Sequence, residues 1–594
     1  MFNENQNTPV KTRYIFLQFL ILALFFMIGL RLWYFQIYKG NYYARQAREN
    51  ILKKETIYPP RGLIFDKNGK ILAENKPSYG LAIVQENCKD IGKNLKQISD
   101  WTDTPLEQIK SKYEKQKNEV KPFTPQILVH NLSYENLAII ETQISNWPGL
   151  RIITKPLRFY PYTPVCSHIL GYVSQVNKQD LRKKSELELD DNIGKRGVEL
   201  SFDSKLRGKK GYKQIRVNAE GRELQKEIIK KPQPGTNISL TMDLDLQKFA
   251  WDTLGNKTGA LIVMAPSTGK ILAMVSKPGY PNNRFVQGFN QKAWKSISSD
   301  SKHSLQNRAI QNSYPPGSVF KLVVAASALA RDKVKLDKER YCPGFYKLGR
   351  RKFRCWEEKG HGWLHLKEAI KQSCDVYFYK LGEKLGVDLI SDFARKYGFN
   401  QKTGIALSSE DKGLIPNQKW KLKQFGRKWQ GGDTLNMSIG QGYTLITPLQ
   451  LTRFVAALSN GGHLLRPIIR KNQNPEVQSE LPLSDEDMRY LIQSMIATVE
   501  EPHGTAWRLR TPGATIGGKT GTSQVVKLLE EDRDKELSEI PYKERSHAWM
   551  TSFGYKGDQS YVVSAFLEHG GQGGSDAGPI VQEIYSYLFN SGAN

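Results

Sequence analysis

This chain of 594 residues contains one long apolar segment near its N-terminus, which is expected to lie in a membrane while the rest of the chain lies in water. Between residues 15 and 30 only Gln18 is plainly polar, and the stretch 14–37 is long enough to cross a bilayer as a helix. Lys11 and Arg13 precede it, and positive charge beside a membrane helix favours the cytoplasmic side. We therefore expect a cytoplasmic tail at residues 1–13, a transmembrane anchor at 14–37 and export of the remainder.

A cleaved signal peptide is the alternative explanation of this segment. Its apolar run is longer than the apolar core of a signal peptide, and no A-x-A-like cleavage site follows it. We expect an uncleaved anchor and a single-pass protein of the cytoplasmic (inner) membrane, with its bulk on the outer, periplasmic side. Its five cysteines are too few and too scattered for a disulfide-dense scaffold, although one bridge fits an exported domain.

Length and composition limit the remaining classes of protein. At roughly 100–200 residues per domain the chain holds about three or four units, each large enough to bury a core. With 39% hydrophobic and 25% charged residues, it is neither a disordered chain nor a multi-span membrane protein. A net charge of +28 suits nucleic acid, an anionic membrane surface or an acidic polymer. No nucleic-acid partner is expected, because the sequence has no zinc-finger array, RNA-binding signature or basic and aromatic repeat.

Residues 40–240 mix short strand-like runs, turns and charged stretches without a catalytic pattern. The stretch 61–75 predicts two short strands around a turn at 66–69, and a second hairpin is predicted around 218–221. The lysines and arginines of these stretches, which include Arg61, are expected on solvated faces. The sequence Pro-Gln-Pro-Gly ending at Gly235 predicts a domain boundary there.

A new pattern starts after this boundary. Residues 237–254 predict a strand and then a helix, and 260–276 predict a hairpin of two buried strands. A mostly helical stretch with long loops follows to about residue 500, and strands return at 514–526 and 548–569. Strands, then helices, then strands predict an α+β fold in which helices pack on an antiparallel sheet.

A serine and a lysine lie three residues apart at the start of a predicted buried helix. A Pro-Pro-Gly loop precedes the apolar run, so Ser318 falls in the first turn and Lys321 lies on the same face. A desolvated lysine beside a serine can act as base and nucleophile. The same spacing recurs in a predicted hairpin turn and in a polar run, at Ser267/Lys270 and Ser299/Lys302. Only Ser318 has a buried helix behind it.

Two further motifs follow in order. Ser373-Cys-Asp375 lies in a helical pattern, and Lys519-Thr-Gly521 lies in a strand pattern interrupted by glycines. Chemistry then suggests the roles. Ser318 attacks a carbonyl and Lys321 takes its proton, Ser373 passes that proton to the leaving amine, and Lys519 anchors an anionic substrate group. The backbone N–H groups of Ser318 and Thr522 are expected to bind the oxyanion.

The chain resembles the class B penicillin-binding proteins over nearly its whole length. The likeness rests on the anchor, the three motifs, and the segments RGLIFDKNG, RGVELSFDSKLRG, DLDLQ, PSTGKILAMVSKPGYPN, SIGQGYTLITPLQL and HAWMTSFGY. Asp375 gives the Ser-x-Asp form that resembles elongation-type members, whereas division-type members usually carry Ser-x-Asn. A carboxylate accepts hydrogen bonds only, so it cannot make the donor half of the contact that an amide makes to the substrate.

This resemblance implies an architecture and an activity. The family fold is a transmembrane helix, an elongated mixed α/β pedestal of the dimerisation type, here 38–235, and a serine β-lactamase-like transpeptidase domain, here 236–594. The implied activity is peptidoglycan D,D-transpeptidation through a serine acyl-enzyme during side-wall elongation, inhibited covalently by β-lactams, with D,D-carboxypeptidase as a side activity. Thr520, Gly521 and Thr522 complete the expected substrate-binding set, and catalysis is expected to need no cofactor.

Relatives of this kind lack a glycosyltransferase domain, which implies partners. The resemblance points to a RodA-type SEDS glycan polymerase and to rod-complex scaffold proteins, besides the peptidoglycan stem peptides and β-lactams themselves. Alternatives stay open. A division-type transpeptidase, a β-lactamase or a D,D-carboxypeptidase would share the motifs, and a β-lactam-sensing receptor would need several membrane spans. A non-catalytic activator of a glycan polymerase would not need intact motifs.

Four further residues form a candidate metal site. Cys342, Cys355, His361 and Cys374 fall within 33 residues, and three thiolates with one imidazole suit tetrahedral zinc. A Cys342–Cys355 disulfide and a merely buried Cys374 are the alternatives. Position favours a structural zinc, because Cys374 lies inside the second motif and a metal there would fix the polar loop 341–365 to the catalytic helix.

Overall fold

A computed structural model describes most of the chain. It covers residues 8–43, 52–117, 122, 124–183, 186–188, 191–217, 223–289, 291–332, 338–526, 537 and 539–590. The chain divides into two compact units that are discontinuous in sequence. The first comprises residues 1–60, 77–156 and 208–234, and the second comprises 61–76, 157–207 and 235–594. The predicted domain boundary at residue 235 stays a prediction.

The first unit begins with the apolar helix. An α-helix runs over Thr8–Trp33 and continues as a π-helical turn over Tyr34–Tyr38. Among the described residues, Arg13–Tyr38 is the one helix long and apolar enough to cross a membrane, and its side chains are exposed. By length and composition this agrees with the predicted anchor.

The rest of the first unit mixes helices and strands. Its helices are Ile91–Thr102, Leu106–Lys117 and Tyr134–Gln143. Its strands are Leu52–Ile57, Gln126–Val129, Gly211–Val217 and Glu223–Lys230, with the end of Ile71–Ile83 and the greater part of Leu150–Phe159. Gly211–Val217 and Glu223–Lys230 pair antiparallel, as the predicted hairpin requires, while its turn at 218–221 lies outside the described residues. Apolar side chains of the helices pack around Leu81, Ile83 and Leu128.

A five-stranded antiparallel sheet forms the centre of the second unit. Its strands lie in the order Ile271–Lys277, Gly259–Met264, Gln559–Leu567, His547–Lys556 and Thr515–Ser523. Alternate residues of Gly259–Met264 enter different cores, because successive side chains of a strand point to opposite faces. Ile262 packs in the large core that holds the helices Lys321–Leu329 and Pro448–Ser459. Val263 packs with helices Leu244–Thr253 and Gly578–Asn590. The α+β prediction is confirmed.

The second unit contains further elements around this sheet. Its other helices are Ser167–Leu170, Lys178–Lys183, Gly197–Ser201, Asp203–Leu206, Asn282–Gln287, Gln291–Ser298, Leu366–Lys371, Asp375–Leu385, Val387–Lys396, Gln418–Phe425, Gly431–Ser438 and Asp485–Glu500. Its other strands are Ile64–Phe65, Val173–Gln175, Asn192–Gly194, Ile238–Ser239, Arg340–Cys342, Phe345–Leu348, Arg351–Arg354, Gly362–Leu364, His463–Leu465 and Val477–Glu480. The four strands between Arg340 and Leu364 interrupt the stretch predicted as mostly helical.

The expectation that Arg61 lies on a solvated face was wrong. Its Nε lies 2.6 Å from Glu199 Oε2, and its Nη1 lies 2.9 Å from Asp203 Oδ1. Arg158 Nε reaches the other oxygen of the fully buried Glu199, also at 2.6 Å. Two guanidinium groups and two carboxylates therefore neutralise one another in the interior, where an isolated charge would be costly.

Candidate active site

Ser318 lies in a tight turn between two backbone segments. The turn Gly317–Phe320 is a 3₁₀-helix that leads directly into the buried helix Lys321–Leu329. Gly317 has φ +58°, and a Cβ there would lie 2.6 Å from the carbonyl oxygen of Thr522. On the other side its N–H donates to Gly440 O at 2.9 Å. Glycine at 317 therefore lets the turn approach the Thr515–Ser523 strand closely.

The three sequence motifs meet behind this turn. Lys321 Nζ donates to the Ser373 carbonyl at 2.7 Å and lies 3.2 Å from Ser373 Oγ. Lys519 Nζ donates to the same hydroxyl at 3.0 Å. Both lysines are fully buried. One serine hydroxyl thus bridges two amines in a continuous chain of hydrogen-bonding groups.

Ser373 does not continue the predicted helix. One helix ends at Lys371 and the next begins at Asp375, and Ser373 between them has φ +54°. Left-handed backbone at a residue with a side chain costs energy and is concentrated at functional sites. This break directs both the carbonyl and the hydroxyl of Ser373 to Lys321.

Asp375 holds the second motif to the first. Its Oδ1 accepts from Lys321 Nζ at 2.7 Å, and its Oδ2 accepts from the backbone N–H of Trp356 at 3.0 Å. The indole Nε1 of Trp356 donates to the carbonyls of Gln372 and Ser373, each at 3.1 Å. Trp356 was missed by the sequence analysis, because its contacts join segments that no short motif connects.

Burial dominates the electrostatics of this cluster. Desolvation, together with the positive charge of Lys321, holds the pKa of Lys519 well below its usual value. Desolvation raises the pKa of Asp375, although the neighbouring Lys321 opposes this effect. The Asp375 carboxylate pairs directly with Lys321, whereas Lys519 is held by neutral oxygens of Ser373 and Thr520. Lys519 is therefore the amine that gives up its proton more easily than an ordinary lysine.

The Lys-Thr-Gly motif lies on the edge strand Thr515–Ser523, as predicted. Thr520 is turned to another partner, since its Oγ1 donates to Thr505 Oγ1 at 2.9 Å. A Cβ on Gly521 would lie 2.8 Å from the Pro316 carbonyl, so this glycine also permits the close approach of the serine turn. Thr522 is exposed next to that turn, with its Oγ1 accepting from Gly573 N–H at 3.2 Å.

The two competing Ser-x-x-Lys pairs lie elsewhere. Ser267 and Lys270 belong to the turn between the strands Gly259–Met264 and Ile271–Lys277, where Ala265 N–H donates to the Lys270 carbonyl. Ser299 follows the short helix Gln291–Ser298, and its hydroxyl donates to the Lys295 carbonyl. Neither pair stands in front of a buried helix, and the choice of Ser318 as the nucleophile stays a prediction.

Cys342, Cys355, His361 and Cys374 come together beside the second motif. One ligand atom from each residue lies within 4.8 Å of the others. His361 Nδ1 is 3.7 Å from Cys342 Sγ and 3.6 Å from Cys355 Sγ. Hydrogen bonds from the Cys342 and Cys374 thiols lower the pKa of Cys355. Burial alone would lower the pKa of His361, but the contacts of its ring with Cys342 and Cys355 raise this pKa to about 9. All three cysteines are free thiols.

Comparisons with known proteins agree with this architecture. Residues 259–586 match the family described as penicillin binding protein transpeptidase domain, and residues 56–240 match the penicillin-binding protein dimerisation domain. Peptidoglycan D,D-transpeptidase MrdA of Acinetobacter baumannii is 32% identical over 586 residues, which cover 96% of this chain and 86% of that protein.

Solved structures give the same result. Penicillin-binding protein 2 from Helicobacter pylori, in complex with MreC, is 32% identical with a TM-score of 0.82, covering 91% of this chain and 100% of its own. A peptidoglycan synthase complex that coordinates polymerization and crosslinking contains a chain that is 27% identical with a TM-score of 0.71, covering 98% of both chains. The dimerisation match precedes the transpeptidase match here, and the chain belongs to the class B penicillin-binding protein family.

Proposed function

We propose that this protein is a serine D,D-transpeptidase that cross-links peptidoglycan during side-wall elongation. The observation that carries the proposal is the chain of groups Lys321 Nζ, Ser373 Oγ and Lys519 Nζ behind the Ser318 turn. It supplies a base, a hydroxyl that relays protons and a second amine in one buried cluster. The names of the relatives support the elongation role, and such transpeptidases need no cofactor for catalysis.

The proposed reaction has two acyl transfers. Ser318 Oγ forms a bond to the penultimate D-Ala carbonyl carbon and loses its proton to Lys321, while the backbone N–H groups of Ser318 and Thr522 bind the oxyanion. The peptide C–N bond then breaks, and the proton passes through Ser373 to the departing D-Ala amine. An amine of a neighbouring stem attacks the acyl-enzyme, its proton returns through the same relay, and Ser318 is released. Water in place of that amine gives the D,D-carboxypeptidase side reaction.

Labelling with a fluorescent penicillin tests this proposal. The wild-type protein is expected to carry one covalent label, mapped to Ser318, and Ser318→Ala is expected to carry none. Lys321→Ala should lose acylation almost as completely, because a nucleophile and its base act as a unit. Ser267→Ala is the matched control and should label normally. A label that persists in Ser318→Ala would contradict the assignment.

We further propose that the apolar helix anchors the protein in the cytoplasmic (inner) membrane, with residues 38–235 as pedestal and 236–594 as catalytic domain on the periplasmic side. A RodA-type glycan polymerase and scaffold proteins of the rod complex are the proposed partners. Support comes from the relative solved with MreC and from the synthase complex that joins polymerization to crosslinking. Cross-linking of nascent strands should therefore depend on a separate polymerase.

A structural zinc at the four-residue cluster is also proposed. Tetrahedral zinc with Zn–S near 2.3 Å and Zn–N near 2.1 Å separates its nitrogen and sulfur ligands by about 3.6 Å. The two sulfur to Nδ1 distances of 3.7 and 3.6 Å fit that geometry. Four protein ligands would fill the coordination sphere, so the metal would hold the loop 341–365 rather than take part in acyl transfer.

Elemental analysis of protein purified without added metal tests the zinc proposal. About one zinc per chain is expected. His361→Ala should lower both the zinc content and the rate of β-lactam acylation, because Cys374 stands between Ser373 and Asp375. Zinc-free protein with a mapped Cys342–Cys355 disulfide would contradict the proposal.

A further inference from the structure

A strongly basic surface lies beside the proposed active site and takes no part in the reaction described above. It consists of the hairpin 345–354 and the helix Gln418–Phe425 with the loop that follows to residue 430, and we call it the basic platform. Residues 345–354 and 417–430 each contain five lysines or arginines and no aspartate or glutamate. The two segments are neighbours, because a Cβ on Gly431 would lie 3.0 Å from Leu348 and one on Gly432 would lie 3.2 Å from Phe353.

Most cations of the basic platform point to solvent. One exception is Lys421, which is buried and pairs with Asp433. The exposed cations are Lys347, Arg350, Arg351, Lys352, Arg354, Lys419, Lys423, Arg427 and Lys428. Like charges concentrated in this way repel one another and raise the local concentration of an anionic ligand.

Three aromatic rings stand among these cations. Trp420, Phe425 and Tyr443 form a closed trio with ring centroids 5.2 to 5.6 Å apart. Lys421 Nζ lies 5.7 Å from the centre of the Tyr443 ring, close enough for a cation–π contact. Phe425 is 48% exposed, so part of this apolar side chain is accessible to a ligand from solvent. Exposed rings held in place by packing are suited to stacking against a flat ligand group at low entropic cost.

The aromatic trio is joined to the acyl-transfer site by a short piece of backbone. Tyr443 follows Gln441 by two residues, and Gln441 Nε2 lies 3.5 Å from the carbonyl of Thr522. The preceding Gly440 accepts a hydrogen bond from Gly317 next to Ser318. The trio is therefore two residues along the chain from a side chain that contacts the strand of the Lys-Thr-Gly motif.

We propose that the basic platform and the aromatic trio bind the anionic glycopeptide strand whose stem peptide is acylated at Ser318. The stem carboxylates would pair with the exposed lysines and arginines, and sugar or peptide faces would stack on Phe425 and Tyr443. This inference rests on the proposed function. Proximity to Ser318 favours a glycopeptide over the other anionic occupants, a lipid surface or an acidic protein.

Binding of soluble, uncross-linked peptidoglycan strands to the full-length protein in detergent tests this inference. The charge variants Lys423→Glu/Arg427→Glu and Arg350→Glu/Lys352→Glu should each weaken binding by about tenfold at low ionic strength, and less at high salt. The matched control is Lys93→Glu/Lys96→Glu, on the exposed face of helix Ile91–Thr102. It changes the net charge equally and should weaken binding by less than about twofold.

A second pair of variants tests the aromatic contribution. Phe425→Ala should weaken strand binding by about fivefold, whereas Leu422→Ala on the same helix, 54% exposed, should have little effect. In cross-linking assays the platform variants should raise KM and leave kcat nearly unchanged. Their rates of β-lactam acylation should equal that of the wild type, because no group at Ser318 is altered.

Three results would overturn the inference. Equal weakening by the platform and control variants would reduce the effect to net charge. Unchanged strand binding in every platform variant would remove the basic platform from substrate binding. Loss of binding to vesicles containing anionic lipid, with strand binding intact, would assign the surface to the membrane. Failure of the proposed function is a separate outcome, since the wild-type protein would then not be acylated at all.

Discussion

Trp356 connects the hydrogen bonds of the proposed relay to the cysteine-rich loop. Its indole supports the carbonyl of Ser373, its backbone N–H supports Asp375, and its neighbour Cys355 belongs to the thiol cluster. Trp356→Phe removes only the indole donor. We expect about tenfold to a hundredfold slower β-lactam acylation, because small displacements of a catalytic group cost this much.

A stopped-flow measurement of acylation, with the melting temperature recorded in parallel, checks this prediction. Trp356 is 56% exposed, so the melting temperature should change little. Trp363→Phe is the control, since Trp363 lies in the same segment 341–365, is 64% exposed, and packs its ring against Tyr341. Equal rates for both variants would show that the indole of Trp356 has no positioning role.

The buried amine of Lys519 is expected to lower the free energy of unfolding, although acylation needs it. It is fully buried, and its two hydrogen-bond acceptors are neutral oxygens of Ser373 and Thr520. Lys519→Met should abolish acylation while stabilising the fold by about 1–2 kcal/mol at pH 7, because a poorly compensated buried cation is replaced by an apolar chain of similar length. Thermal unfolding and penicillin labelling of the same samples check both parts.

The stability gained in Lys519→Met should also depend on pH. The folded pKa of Lys519 is lowered, so between that value and about 10.4 the unfolded chain binds a proton that the folded chain does not. The stability of the wild type therefore rises with pH across this window relative to the variant. The difference in melting temperature should shrink from pH 7 to pH 10. A constant difference would indicate that the pKa of Lys519 is unperturbed.

Residues that are recognised by local patterns could be predicted, and residues that act through distant contacts could not. Ser318 and Lys519 could be proposed from the sequence because each lies in a short motif, in front of a helix or within a strand. Arg61 and Glu199 are 138 residues apart in sequence, and neither motif nor periodicity shows that they pair. The same reason hid Trp356.

At the scale of elements, hydrophobic pattern and turn residues predicted the central sheet. They did not predict the interruption of the helix at Ser373 or the short strands between Arg340 and Leu364. The hairpin of Gly259–Met264 and Ile271–Lys277 was predicted because its apolar runs flank a turn. The helical pattern around Ser373 gave no sign of its left-handed backbone, since serine carries no preference for that conformation. The strands between Arg340 and Leu364 are three or four residues long, too short for a periodic signal.

The approach of two loops at Gly440 gives a prediction about these elements. Gly440 has φ +71°, and a Cβ there would lie 2.2 Å from the carbonyl oxygen of Gly317. Gly440→Ala should displace the turn that carries Ser318, lower stability by more than about 2 kcal/mol and slow acylation strongly. Gly442→Ala is the matched control, since its φ is +76° but its nearest neighbour, Asn436 Cβ, is 3.5 Å away.

Acylation rates and melting temperatures of the two alanine variants distinguish the cost of left-handed backbone from the cost of a clash with the Gly317 carbonyl. Gly442→Ala should show only the cost of left-handed backbone, about 1–2 kcal/mol, with acylation nearly unchanged. If Gly440→Ala acylates as fast as Gly442→Ala, the close approach to Gly317 has no role in placing Ser318.

For the whole molecule, the sequence predicts domains that are continuous segments of the chain. The two compact units of the structure are each made of three separate segments. Residues 61–76 and 157–207 group with 235–594. Within that unit Ile64–Phe65 pairs in parallel with Ile238–Ser239, although the two strands lie far apart in the sequence. Parallel pairing needs a long connection and leaves no local signal, so the extent of this unit could not be predicted from composition.

Removal of residues 1–39 tests whether the anchor is separable from catalysis. Among the described residues, every hydrogen bond given above for the acyl-transfer site lies within residues 235–594, and the Arg13–Tyr38 helix exposes its apolar side chains. The truncated protein should therefore be soluble without detergent and should react with penicillin within about twofold of the full-length rate, because the reacting groups are unchanged. It should no longer associate with lipid vesicles, since about 20 apolar residues are the main membrane-binding element. Full-length protein in detergent is the reference for both measurements. A truncated protein that is folded by circular dichroism but not acylated would show that the helix contributes to the catalytic structure and does more than hold the protein at the membrane.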